Sequence, residues 1–291
     1  MQNIRQHLIT PTKKNGAILL NHYQAIDCSW HLPNDTTNGK DSFMHSRLPK
    51  ARFFDIDLAS APNAPYPHTL PAKDYFLNYC QSLGLSPESP ILLYDKGGVI
   101  CAFRVWYMLR EFGFKDVHLL DGGLRFWVDL GLPLETTAPK QNQLPSNLQD
   151  SQIKTQENDS QHEHFCFTAH LLDNPHLQII DARAEPRFLG QVAEPRPGVR
   201  PGHMPGAKNI PYLSLFKDDG CLKNDQALKS LFDQKNIDLS GQITTTCGSG
   251  VTASIVAFAL ECVGAKHVKI YDGSWAEWGA RHDLPIAQTM A

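Results

Sequence analysis

The chain has 291 residues, 42% of them hydrophobic, 20% charged and 9% aromatic, with a formal net charge of −3. That balance lacks the basic footprint of a nucleic-acid or anionic-membrane binder. The longest apolar run, around residues 253–259, is far short of the ~20 residues of a membrane span. The residues after Met1 are polar with no hydrophobic signal core, so a cytoplasmic protein with no nucleic-acid or membrane partner is expected. The seven cysteines are scattered, odd in number and without CxxC spacing. This argues against both a disulfide framework and a zinc site, and leaves most of them as small buried hydrophobes.

In chain order, the first landmark is Arg47-Leu48-Pro49-Lys50-Ala51, followed by Phe53-Phe54-Asp55-Ile56-Asp57 and Pro65-Tyr66-Pro67-His68-Thr69-Leu70-Pro71. Ile91–Tyr94 is a short apolar run ending in Asp95-Lys96-Gly97-Gly98, as a buried parallel strand should be. Residues 102–112 have helical periodicity, and Val117–Leu120 returns to strand character before Asp121-Gly122-Gly123-Leu124-Arg125-Phe126-Trp127. Residues from about 136 to 164 are rich in Gln, Asn, Asp and Ser, which is the composition of a linker. Gln178–Asp181 reads as another strand and opens the segment Asp181-Ala182-Arg183-Ala184-Glu185-Pro186-Arg187. That segment continues through Glu194-Pro195-Arg196-Pro197 to His203-Met204-Pro205-Gly206-Ala207.

The strand–loop–helix–strand pattern then recurs: strand 243–246, loop Cys247-Gly248-Ser249-Gly250, helix 251–263, strand 268–271, and Asp272-Gly273-Ser274-Trp275-Ala276-Glu277-Trp278. Lys96 to Asp121 spans 25 residues, as does Cys247 to Asp272, and six residues separate each aspartate from Trp127 or Trp278. Pro49-Lys50-Ala51 and Pro205-Gly206-Ala207 also correspond. Such register held across a helix indicates an internal duplication. The expected architecture is α/β, with two modules each built on a parallel sheet: 1–135, a linker 136–164, and 165–291. Counting without gaps sets Lys96 against Cys247, so only the second module has a nucleophile at this position. Cys101, among Ala102, Phe103, Val105 and Trp106, reads as a packing residue.

Cys247 sits where a buried strand meets Gly248-Ser249-Gly250-Val251-Thr252-Ala253. Glycines allow a tight turn whose successive N–H groups, ending at a helix N-terminus, stabilise an anion at the centre. A lone cysteine at a strand end is most often packing. The Gly-Ser-Gly sequence behind this one makes it a cradle for a sulfur nucleophile, as thiolate or as persulfide. Arg183, Arg187, Arg196 and Arg200 follow in one segment; a guanidinium fork suits a carboxylate, but any one loop arginine is most often a solvated surface charge.

Cys-Gly-Ser-Gly-Val-Thr-Ala at 247–253 resembles the active-site loop of the 3-mercaptopyruvate sulfurtransferases, a family of the rhodanese superfamily, and the resemblance extends over nearly the whole chain. It implies two tandem rhodanese-like modules, each a central parallel sheet flanked by helices, with catalysis in the C-terminal one. It implies that Cys247 carries sulfur as a persulfide within a loop that includes Gly248, Gly250, Val251 and Thr252, and that Arg187 and Arg196 bind the substrate. It also implies a relay of Ser249, His68 and Asp57 reaching across the domain interface, Asp55 being the alternative aspartate. The expected reaction moves sulfur from 3-mercaptopyruvate to a thiol acceptor such as thioredoxin or a small thiol, or to cyanide, with no metal or organic cofactor. Arg183 and Arg200 are left to structural roles. Where many relatives have a glycine in the first module, this chain has Lys50, a departure bearing on the local turn.

Thiosulfate-preferring rhodaneses usually carry Arg-Lys after the cysteine, where this chain has the neutral Gly248-Ser249. Cysteine phosphatases need an arginine six positions after the cysteine, and here that position is Ala253. A non-catalytic rhodanese-like binding module would not need Cys247 together with both arginines.

Overall fold

The computed structural model describes residues 4–32, 35–97, 100–137 and 162–288. Of the expected linker at 136–164, residues 138–161 lie outside the described residues, as does Gly98 of the first loop. The chain divides into two compact units. One comprises residues 1–63, 70–156 and 218–222; the other comprises 64–69, 157–217 and 223–291.

The first unit is built on β1 (Leu8–Ile9), β2 (Gln24–Asp27), β3 (Arg52–Phe53), β4 (Ile91–Tyr94) and β5 (Val117–Leu120), in the order β1-β5-β4-β2-β3. Every pairing is parallel. All of β4 is buried, as a central strand with both faces covered requires. Its helices are α1 (Gly16–His22), α2 (Gly39–His45), α3 (Ile56–Ala59), α4 (Lys73–Ser82), α5 (Ala102–Glu111) and α6 (Gly123–Asp129). Leu92, Tyr94, Leu120, Leu124 and Trp127 share one core with Phe43 and Leu48.

The second unit repeats the plan with β6 (Phe165–Cys166), β7 (Gln178–Asp181), β8 (Lys208–Asn209), β9 (Gln242–Thr246) and β10 (His267–Tyr271), in the order β6-β10-β9-β7-β8, again all parallel. Its helices are α7 (Thr168–Asp173), α8 (Glu185–Phe188), α9 (Asp225–Gln234), α10 (Ala253–Cys262) and α11 (Ser274–Trp278). Helix α10 begins two residues later than its periodicity suggests, because Val251 and Thr252 belong to the turn that closes the Cys247 loop.

The sheet registers align the two copies residue by residue and correct one expectation. Asp27 pairs with Tyr94 as Asp181 pairs with Thr246, and Leu93 pairs with Leu119 as Thr245 pairs with Ile270. Tyr94 is therefore the counterpart of Thr246, and the next residue, Asp95 rather than Lys96, stands where Cys247 stands. The loop before α5 is one residue longer than the loop before α10, which an ungapped count back from Asp121 cannot register. Lys96 instead turns aside, its Nζ donating to the carbonyls of Ser42 (2.7 Å) and Ser46 (3.2 Å).

The Lys50 departure leaves its turn intact. Lys50 takes φ 62°, close to the 78° of Gly206 in the second copy. The turns close alike, with the Ala51 N–H on the Leu48 carbonyl and the Ala207 N–H on the Met204 carbonyl, both at 3.1 Å. A side chain at that torsion costs about 1–2 kcal/mol, offset in part by the 2.8 Å bond from the Lys50 N–H to the Glu135 carboxylate.

Candidate active site

Cys247 leaves β9 with 2% of its surface exposed. Its backbone is clamped on both sides by the Ser274 turn. The Cys247 N–H donates to Ser274 Oγ (3.2 Å), which in turn donates to the Tyr271 carbonyl, and the Trp275 N–H donates to the Cys247 carbonyl (2.9 Å). Ser274 holds φ 49° to do this, a strained torsion for a residue with a Cβ. Gly250, at φ 76°, then turns the chain toward α10, and Ser254 Oγ locks that turn by donating to the Gly250 carbonyl (3.0 Å). The N–H groups from Gly248 through Thr252 have no hydrogen-bond acceptor among the described residues. A run of N–H groups with no acceptor among the described residues, following a thiol in the chain and leading into a helix N-terminus, suits an anion.

Both arginines reach this loop. A Cβ built on Gly248 would lie 3.2 Å from Arg187 Nη2 and 3.8 Å from Arg196 Nη1, so both guanidiniums stand beside the residue that follows the thiol. Arg187 is fixed by Glu194, whose carboxylate accepts from its Nε (3.2 Å) and its Nη2. Glu194 also accepts from Arg183 Nη1 (2.9 Å). Arg183 itself grips Asp181, at the end of β7, through Nε and Nη2 and lies over the Trp275 ring at 4.4 Å. Arg200 serves the backbone, donating to the carbonyls of Gly279 (3.0 Å), Leu284 (3.0 Å), Trp278 and Arg281.

Segment 64–69 belongs to the same unit as the Cys247 loop and brings His68 to Ser249, with Nδ1 2.9 Å from Oγ. His68 is 3% exposed and sits at φ 61°, a torsion that histidine tolerates better than most side chains. Asp57 lies in the other unit, on α3, where its carboxylate accepts from Trp30 Nε1 (3.1 Å). Asp55 is occupied as the cap of α3, accepting from the N–H groups of Asp57 and Leu58.

A rhodanese-like domain model matches residues 20–130 and again 168–281. The 3-mercaptopyruvate sulfurtransferase of Homo sapiens is 39% identical over 262 residues, 89% of this chain and 85% of that protein. The chain belongs to the rhodanese family. The thiosulfate/3-mercaptopyruvate sulfurtransferase 1 (mitochondrial) of Arabidopsis thaliana is 37% identical over 276 residues, covering 90% of this chain and 73% of that one. Among solved structures, SseA from Escherichia coli, a rhodanese-fold 3-mercaptopyruvate sulfotransferase, matches with TM-score 0.75 and 31% identity, over 92% of this chain and 98% of that one.

Within this tandem rhodanese, sequence reasoning passed over two residues. Ser274 aligns with Gly123 of the first copy, which holds φ 58° and presents the Leu124 N–H to the Asp95 carbonyl (2.8 Å). A serine standing against a glycine at a left-handed position is a signal the repeat carries. Glu194 has no such signal, because only folding sets it between Arg183 and Arg187. All seven cysteines are free, and burial pushes the thiols of Cys28 and Cys101 well up, which suits inert packing. No described helix is long and apolar enough to cross a membrane.

Proposed function

We propose that this rhodanese takes sulfur from 3-mercaptopyruvate onto Cys247 and passes it to a thiol or to cyanide. The observation that carries the reading is the thiol at the head of a loop whose N–H groups have no acceptor among the described residues, with Arg187 and Arg196 beside Gly248. The arginines bind the donor's carboxylate and keto oxygen and bring its sulfur to Cys247. The Cys247 thiolate attacks that sulfur, the carbon–sulfur bond breaks, and its electron pair leaves as the enolate of pyruvate. The proton from the donor's thiol ends on the enolate carbon, with Ser249 and His68 as the polar pair that assists its movement and Asp57 the carboxylate that the resemblance adds. Cys247 is left as a persulfide anion on the loop N–H groups. An acceptor thiolate (a small thiol, or a protein thiol such as thioredoxin) or cyanide then removes the outer sulfur and restores the thiolate. Sulfur itself is the carried group, so the cycle calls for no metal or organic cofactor. Seven free cysteines support a reducing compartment such as the cytoplasm.

Thiosulfate is the competing donor. The neutral Gly248-Ser249 pair after the cysteine favours the singly charged keto acid. Initial rates with cyanide as acceptor test this: kcat/KM is expected to be larger for 3-mercaptopyruvate than for thiosulfate, and the reverse order would overturn the assignment of the donor.

A further inference from the structure

We infer that Glu194 sets the donor preference of this site by cancelling one of the positive charges beside Cys247. The inference rests on the proposed role of the Cys247 loop and deepens it. The Glu194 side chain is 4% exposed, yet it lies in a loop between Arg187 and Arg196 rather than in a hydrophobic core. It spends both oxygens on arginines: Oε1 on Arg183 Nη1 and Arg187 Nε, and Oε2 on Arg187 Nη2. Arg183 is already matched by Asp181, through three contacts between 2.6 and 3.1 Å. The negative charge of Glu194 is therefore surplus to the Arg183–Asp181 pair and falls on Arg187, whose guanidinium faces Gly248.

The consequence for donors is electrostatic. At a given separation, a fixed negative charge repels a dianion twice as strongly as a monoanion, and burial keeps that repulsion from being screened by salt. Mercaptopyruvate carries one negative charge in its carboxylate, whereas thiosulfate carries two. Glu194 thus holds Arg187 in place for a carboxylate and at the same time taxes the more highly charged donor. It is a positioning residue, touching Arg187 and no reacting atom.

The test is the ratio of kcat/KM for thiosulfate to that for 3-mercaptopyruvate, which in a ping-pong cycle reports only the first half-reaction. Glu194→Gln removes the charge and keeps an acceptor for Arg187. It is expected to raise the ratio on the order of ten-fold, mainly through KM. Glu194→Asp keeps the charge and shortens the reach, and it is expected to lower both rates while holding the ratio within about two-fold of the native value. A parallel fall for both donors in the Gln variant would overturn the inference, since a merely structural role lowers both alike. If Glu194→Gln does not fold, the Asp variant still decides, because a ratio shifted toward thiosulfate with the charge retained would also overturn it. The proposed donor is judged separately by the native ratio, and the change on substitution judges Glu194.

Discussion

The loops after β4 and β9 occupy the same place in duplicated sheets and have opposite chemistry. Asp95 and Cys247 follow strands of identical register, and each gives its carbonyl to the first turn of the helix after the next strand, through Leu124 N–H and Trp275 N–H. In the first unit the Asp95 carboxyl folds back on its own helix, accepting from the N–H groups of Cys101 (2.9 Å) and Ala102 (3.0 Å) at the start of α5. In the second, Cys247 has no such reach, and the loop's N–H groups find no acceptor among the described residues. The same scaffold thus carries a self-capped helix start in one copy and, in the other, a loop whose N–H groups have no acceptor among the described residues.

Copying the first loop into the second gives the largest effect. Cys247→Asp is expected to abolish sulfur transfer and, by capping α10 as Asp95 caps α5, to raise stability by about 1 kcal/mol. That corresponds to roughly 2–4 °C in Tm, read by thermal melts beside the kinetic assay. A lower Tm would show that the loop cannot receive a carboxylate and that the likeness stops at the backbone.

The first loop can be probed by pH. Burial pushes the Asp95 carboxyl up to about 8, against the opposing pull of the Cys101 and Ala102 N–H groups. Because the folded value lies above the unfolded one, the folded state holds the extra proton between about pH 4 and pH 8. Stability from this group is full below about pH 4 and is lost as pH rises through about 8. Asp95→Asn is expected to flatten that decline in denaturant melts across the range, and an unchanged slope would remove Asp95 as its source.

The smallest effect concerns the matched turns. Lys50→Gly gives the first copy the residue that the second has at Gly206, relieving a left-handed torsion. Part of the gain is returned as unfolded-chain entropy, so stability is expected to rise by about 0.5–1 kcal/mol, with activity unchanged. A loss of stability would mean that Lys50 contributes more through its side chain than its torsion costs.

Much of this was readable before folding. Apolar runs such as Ile91–Tyr94 gave the strands because central parallel strands are buried on both faces, and the duplication followed from spacing alone. Cys247 stood out by the Gly-Ser-Gly that follows it, whereas Arg187, Arg196, Ser249, His68 and Asp57 were singled out by the family resemblance. The counterpart of Cys247 was misplaced by one residue because an insertion inside a loop leaves no trace in a count anchored on the far side of the helix. Anchored on the strand ends, Tyr94-Asp95 against Thr246-Cys247, the count would have been right. Glu194 could not be found at all, since a surface-type residue in a proline-rich loop becomes a buried bridge only when Arg183 and Arg187 close on it.

In the proposed cycle the transferred sulfur resides on Cys247. Incubating the protein with 3-mercaptopyruvate in the absence of acceptor, then measuring intact and peptide masses, tests this most directly. The expected result is one added sulfur atom on the peptide containing Cys247, absent in Cys247→Ser and removed by cyanide. Release of pyruvate with no sulfur on Cys247, or with the sulfur on another cysteine, would contradict it.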